Sequence, residues 1–202
     1  MSQVQKTESE YNLPNVAKRS PYAGNREGLA EYCPDGGVRR MVELDRGLTD
    51  QLDDDSRRIE LDLSRNAKID APSDYYRLRS IPGVGKILSL VMLYEIHEIH
   101  RFPKVGNFLS YARLVRCSHE SAGKRCGFGS RKIGNAHLKW AFSEATVLMM
   151  KQSAEAKRFV ARKERKHGKA KAIAILGAKL GRAIYYMLKR EEPFNLKVFL
   201  TT

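Results

Sequence analysis

Apolar positions recur at helical spacing along most of this chain. Ile173, Leu176, Leu180, Ile184 and Met187 fall three or four residues apart and predict a helix over Lys169–Arg190. Leu138, Ala141, Phe142, Ala145 and Leu148 do the same for a helix from about Asn135 to Gln152. Trp140 and Phe142 are expected in the core, as are Tyr185 and Tyr186. The basic run Ala154–His167 reads as helical, as does Lys86–His97, and Gly106–Leu114 reads as a shorter helix after the Phe102-Pro103 loop. Pro72 is expected to stop one helix, with Ser73 or Asp74 capping the next short one through Tyr75–Arg79. No period-two alternation stands out. The expected fold is mostly α: a long N-terminal helical, coiled-coil-like arm, then a compact helical domain with a helix-hairpin-helix element.

Three segments follow from this pattern. Residues 1–36, punctuated by Pro14, Pro21, Gly24, Gly28, Pro34, Gly36 and Gly37, read as an extended linker with a short helix near Glu27–Tyr32. Residues 37–71 read as one long helix. Val38, Met41, Leu48, Leu52 and Ile59 keep a seven-residue spacing, but Asp45, Asp55 and Asp62 hold other seam positions. A coiled-coil arm and a lone amphipathic helix both fit. Residues 73–202 make the compact helical domain.

Charge sharpens the division. The net charge is +14. Residues 1–80 hold 13 Lys/Arg against 15 Asp/Glu, net −2; residues 81–202 hold 24 against 8, net +16. A field of that sign on one half of the chain draws polyanions. The basic residues do not oppose a bulky apolar stripe, which disfavours a membrane surface. No run of about 18 apolar residues is present, and Met1–Lys6 lacks a signal core, so a cytoplasmic location with no membrane partner is expected. Cys117, His119, Cys126 and His137 match no zinc-finger spacing, and no metal is expected on them.

Two stretches in the basic half carry chemistry. Ile81-Pro82-Gly83-Val84-Gly85-Lys86 joins two predicted helices. Glycines let the backbone approach a ligand closely, and amides opening the second helix attract phosphate. Lys86 adds a full charge. Gly83, Val84, Gly85 and Lys86 are therefore candidate DNA-binding residues. The second stretch runs from Glu120 to Asn135, with Gly123, Gly127, Gly129 and Gly134 among Lys124, Arg125, Arg131 and Lys132. Its chemistry reads first as phosphate binding. Ser121 could be a nucleophile if a neighbour activated it, and Ser130 ranks below it.

The order of motifs is informative. Ser110-Tyr111-Ala112-Arg113-Leu114-Val115, Ser121-Ala122-Gly123-Lys124-Arg125, Lys132-Ile133-Gly134-Asn135 and His137-Leu138-Lys139-Trp140 follow one another, with Ile81–Gly85 upstream. The string resembles the C-terminal domain of the insertion-sequence "one-ten" transposases over roughly residues 12–200, including Asn25-Arg26-Glu27-Gly28 and the long helix. That resemblance implies an RNA-guided DNA recombinase that moves an insertion sequence, with DNA and a bridge (guide) RNA as partners. It implies a serine nucleophile that forms a covalent phosphoserine link to DNA, and a homo-oligomer joined through the helical arm. Four acidic residues on an N-terminal ribonuclease-H-like domain would hold magnesium.

By position in the motif, Ser121 matches the catalytic nucleophile. Lys124, Arg125, Arg131, Lys132 and Asn135 match the DNA-facing loop, and Gly83–Lys86 the DNA-holding hairpin. The chain begins near the linker, so the ribonuclease-H-like domain is expected to be absent, with no cofactor in this chain. Asp53-Asp54-Asp55 is no substitute, because adjacent acids on a helix point in different directions. A truncated or split transposase, inactive alone, is the expectation. The alternative is a non-catalytic helix-hairpin-helix module that binds DNA or RNA.

Overall fold

Local signals in the chain set most of its helix boundaries, and the computed structural model describes residues 29–33, 35–115, 118–121, 124–128 and 133–201. For the segments between 118 and 128 it describes the backbone. The chain divides into two units, Met1–Asp62 and Leu63–Thr202.

In the first unit a 3-10 turn at Leu29–Tyr32 precedes helix α1, Gly36–Asp70, which continues into the second unit. Asp35 starts α1. Its Oδ1 accepts hydrogen bonds from the amides of Gly37 (2.7 Å) and Val38 (3.0 Å), which have no partner inside the helix. Cys33, Val38 and Val42 form a small buried cluster with Ala30 against it. Further along, the heptad residues Met41, Leu48, Leu52 and Ile59 are exposed, by 41 to 60%. Exposed pairs such as Arg57–Asp54 and Arg58–Asp55 decorate the helix and contribute a few tenths of a kcal/mol each at most.

The second unit holds α2 (Pro72–Arg79), α3 (Lys86–Ile96), a 3-10 turn (Ile99–Arg101) and α4 (Val105–Tyr111). After these come strands β1 (Ser118–Ser121) and β2 (Lys124–Phe128), then α5 (Ala136–Gln152), α6 (Ala154–His167), α7 (Lys169–Arg190) and α8 (Leu196–Thr201). The fold is mostly helical. The strands form one antiparallel hairpin, in a stretch without strand periodicity.

Pro72 does not merely stop a helix. It occupies the first turn of α2, and the cap position is Ala71, with no side-chain cap from Ser73 or Asp74. Proline suits that turn because its missing N–H would have no helical partner there.

Helix α7 packs against α2, α4, α5, α6 and α8. Leu176, Leu180 and Ile184 on α7 are fully buried, as are Leu138, Ala141, Phe142, Ala145 and Met149 on α5. Phe108 from α4 fills the space between, its ring 5.3 Å from Phe102, 6.1 Å from Phe142 and 5.9 Å from Tyr185. The Tyr185 hydroxyl donates to the Phe102 carbonyl at 2.9 Å. Two aromatic expectations are corrected. Trp140 is 48% exposed and Tyr186 37%. Trp140 lies two residues, about 200°, from Phe142 on the helix, and Tyr186 lies about 100° from Tyr185, so neither shares the buried face of its neighbour.

The α2–α3 turn is fastened to α5 through backbone. Gly83 has φ +88°, and a Cβ there would lie 2.4 Å from the Met149 nitrogen and 2.9 Å from the Ala145 carbonyl oxygen. The Gly83 amide donates to Gln152 Oε1 at 2.7 Å. A side chain at this position meets both a disfavoured dihedral and a rigid wall. Gly83→Ala should therefore destabilise the protein by about 2–4 kcal/mol, read from the urea midpoint, whereas Gly85→Ala, with open space around its Cβ position, should cost under about 1 kcal/mol.

Candidate nucleic-acid interface

The candidate residues at the turn play unequal parts. Gly83 is buried, with its amide held by Gln152, and Val84 is 5% exposed in the core. Both secure the turn. Gly85 is exposed and precedes α3 with φ −81° and ψ −175°. No side chain caps α3, and its first described turn bond runs from the Ser89 amide to the Gly85 carbonyl at 3.0 Å. The amides of Lys86, Ile87 and Leu88 thus open the helix without a capping side chain. That end carries partial positive charge, and the half-exposed Lys86 stands beside it.

The second candidate stretch rises from a hydrogen-bonded neck. Asn135 is the N-cap of α5, its Oδ1 accepting from the Leu138 amide at 2.9 Å. Its Nδ2 donates to Glu95 Oε2 on α3 at 2.6 Å and lies 3.3 Å from the Tyr111 hydroxyl at the end of α4. Its backbone amide donates to the Tyr111 carbonyl at 2.6 Å. Gly134 has φ +101° and lies so close to Tyr111 that a Cβ would be 2.5 Å from its carbonyl oxygen. Arg113 Nε donates to the Gly134 carbonyl at 2.9 Å. One asparagine therefore ties three helices together and closes the chain where it leaves at 113 and returns at 134.

Arg101 completes the neck. Its guanidinium lies 4.6 Å from the Phe102 ring centre and 4.8 Å from that of Tyr111, and Nη2 donates to the Glu95 carbonyl at 3.0 Å. Hydrogen bonds from Asn135 and then Arg101 hold the Tyr111 phenol below its ordinary pKa, against the opposing effects of burial and Glu95.

Beyond the neck, the backbone of Ser121 ends β1 and pairs with Lys124 at the start of β2; Glu120 pairs with Arg125, with an irregularity between His119 and Glu120. Arg131, Lys132 and Ser130 lie outside the described residues. The hairpin thus sets Ser121 beside Lys124 in backbone register. Glu95, Arg101, Tyr111, Arg113 and Gln152 are the residues that sequence reasoning missed. Only the Gly134-Asn135 pair, a glycine before a helix cap, signalled that a closure was present.

Among the described residues no group of three or more His, Cys, Asp or Glu side chains is placed to hold an ion. Asp54 and Asp55 pair instead with Arg57 and Arg58.

Residues 75–161 match the sequence model of the IS116/IS110/IS902 transposase family. The transposase-like segment opens in α2 and closes in α6, so it contains the turn, the neck and the Ser121 hairpin. Over 133 residues the chain is 26% identical to the transposase for insertion sequence element IS1111A of Coxiella burnetii (strain RSA 493 / Nine Mile phase I). That alignment covers 62% of this chain and 35% of that transposase, so the chain spans about a third of the length of this relative. No helix among the described residues is long and apolar enough to cross a membrane.

Removing the Asn135 side chain tests the neck of the transposase-like segment. Asn135→Ala should cost about 1–2 kcal/mol through loss of the cap, and should raise the Tyr111 titration midpoint, followed by phenolate absorbance. An unchanged midpoint would mean that Asn135 does not set the phenol's acidity.

Proposed function

We propose that this chain is the DNA-handling part of a transposase that moves an insertion sequence, with Ser121 as the catalytic nucleophile. The observation that carries the reading is the overlap of the family match with the two phosphate-suited features. The match at 75–161 takes in the uncapped start of α3 beside Lys86 and the basic hairpin that bears Ser121.

On this reading the α3 amides and Lys86 hold a backbone phosphate of duplex DNA. Such contacts position the duplex and carry no base specificity. Lys124, Arg125, Arg131 and Lys132 bring positive charge to the scissile phosphate. The Ser121 hydroxyl oxygen attacks phosphorus and a Ser–O–P bond forms. The bond to the leaving strand oxygen breaks and the serine proton ends on that oxygen as a free strand hydroxyl, giving a phosphoserine link to the other DNA end. Asn135, with its amide engaged by Glu95, Tyr111 and Leu138, serves this step by holding the hairpin's base. Base specificity would come from a bridge RNA paired to DNA. Magnesium would be held by a ribonuclease-H-like domain outside the described residues.

The exposed stripe Met41, Leu48, Leu52 and Ile59 supports homo-oligomer formation through α1. An apolar seam of period 3.5 is what a partner helix covers in a coiled coil. Replacing Leu48 and Leu52 with Ser should convert an oligomer to a monomer in sedimentation. A monomer before and after replacement ends this part of the proposal.

The decisive experiment mixes the chain with duplex DNA, bridge RNA, magnesium and a separately supplied ribonuclease-H-like domain, and looks for a protein–DNA adduct stable to denaturation. Wild type should form it and Ser121→Ala should not. Equal adduct with Ser121→Ala removes the serine from the mechanism. A chain that binds duplex DNA, with Lys86→Gln lowering the salt slope by about one, yet never forms an adduct is a non-catalytic binding module.

A further inference from the structure

The C-terminal helices carry cations that neither the turn nor the Ser121 hairpin uses. On α6 and α7, Arg162, Lys163 and Lys179 gather around the buried ring of Phe159, at 5.7, 5.7 and 5.0 Å from its centre. Lys179 is also 5.6 Å from the ring centre of Phe199 on α8. Cation–π attraction offsets only part of the repulsion among three like charges. Among the described residues no carboxylate pairs with any of the three. Burial, then the charges of Lys163 and Arg162, hold Lys179 below the usual lysine range. Like charges gathered in this way attract an anion from outside.

Lys179 also lines a cleft of about 290 Å3 between α7 and α8, at the lower bound for small-molecule pockets. Tyr186, Phe194 and Phe199 supply aromatic surface there, and Arg182 and Arg190 further charge, against the single lining acid Glu192. The Arg190 guanidinium lies 5.0 Å from the centre of the exposed Tyr186 ring, and Phe194 lies 5.4 Å from Phe199. Aromatic faces set among cations, in a cleft too narrow for a duplex, are the ingredients of sites that hold unpaired nucleotides. A duplex grip needs only charge and amides.

We infer that the α7–α8 cleft binds an unpaired nucleotide of a single-stranded nucleic acid, with the base against Tyr186 and Phe194 and adjoining phosphates on Lys179, Arg162 and Lys163. This site is separate from the α2–α3 turn and does not depend on any role for Ser121. The pairing of functions is chemically sensible: the turn holds backbone, while the cleft recognises that a base is out of its stack.

The test is fluorescence anisotropy of the whole chain with short single-stranded oligonucleotides, in ribose and deoxyribose series, each with normal and abasic central positions. Base-bearing strands should bind at least about fivefold tighter than abasic ones in one series or both, the size expected for stacking one base. The series that shows the preference identifies the sugar. Tyr186→Ala should abolish the preference and Tyr186→Phe retain it, with circular dichroism confirming the helical fold. Lys179→Gln should weaken base-bearing and abasic strands alike and lower the salt slope by about 0.7, the value for one phosphate on a single strand. Lys86→Gln, at the turn, should weaken duplex binding and leave the base preference intact. Equal affinity for base-bearing and abasic strands in both series overturns the inference, and so does a preference that survives Tyr186→Ala. A wild-type chain that shows the base preference but binds no duplex at all would instead count against the transposase reading alone.

Discussion

Backbone packed on backbone at Gly83 is the constraint on which the second unit depends. The glycine sits where a Cβ would penetrate the Met149 nitrogen and the Ala145 carbonyl of α5. Its amide is taken by Gln152 at the end of the same helix. Helix pairs usually meet through side chains that can adjust. Here two main chains touch, and neither can give way without breaking helical hydrogen bonds. The start of α3 is therefore set by α5 rather than by the flexibility that two nearby glycines suggest.

Asn135 acts at the other end of α5 in a different way. It uses hydrogen bonds instead of contact, and it uses all of them. One carbonyl oxygen caps α5, the amide group reaches α3 and α4, and the backbone amide closes onto Tyr111. A half-buried polar network with every member satisfied is worth more to structural uniqueness than to raw stability. The two ends of α5 thus carry the two regions suited to phosphate, one fixed by close packing and one by polar closure.

Much of the fold was legible because its signals are local. Residues 154–167 and 169–190 were expected as helices and form them to the residue. Ser153 caps the first through the Ala156 amide, and Gly168 separates it from the second. The paired strands escaped notice because segments of four and five residues show too little alternation to count. Trp140 was misplaced because being close in sequence to Phe142 says nothing about sharing its face. The candidate site was legible as composition, a glycine pair and a basic loop. It was not legible as geometry. Gly83 and Gly85 look equivalent in the sequence, and only the approach of α5 separates the one that packs from the one that faces solvent. Glu95 and Tyr111 meet Asn135 across 40 and 24 residues of chain, a distance no local pattern encodes.

Helix α3 joins these regions directly. Lys86 opens it at the turn, and Glu95, nine positions later, holds Asn135 at the neck. Nine residues of α-helix rise about 14 Å, and duplex DNA advances about 3.4 Å per base pair along a strand. On the proposed reading, a phosphate held at the turn stands about that distance from the base of the Ser121 hairpin, a length of roughly four base-pair steps. A helix anchored at both ends does not stretch, so the protein fixes that separation between turn and neck by itself.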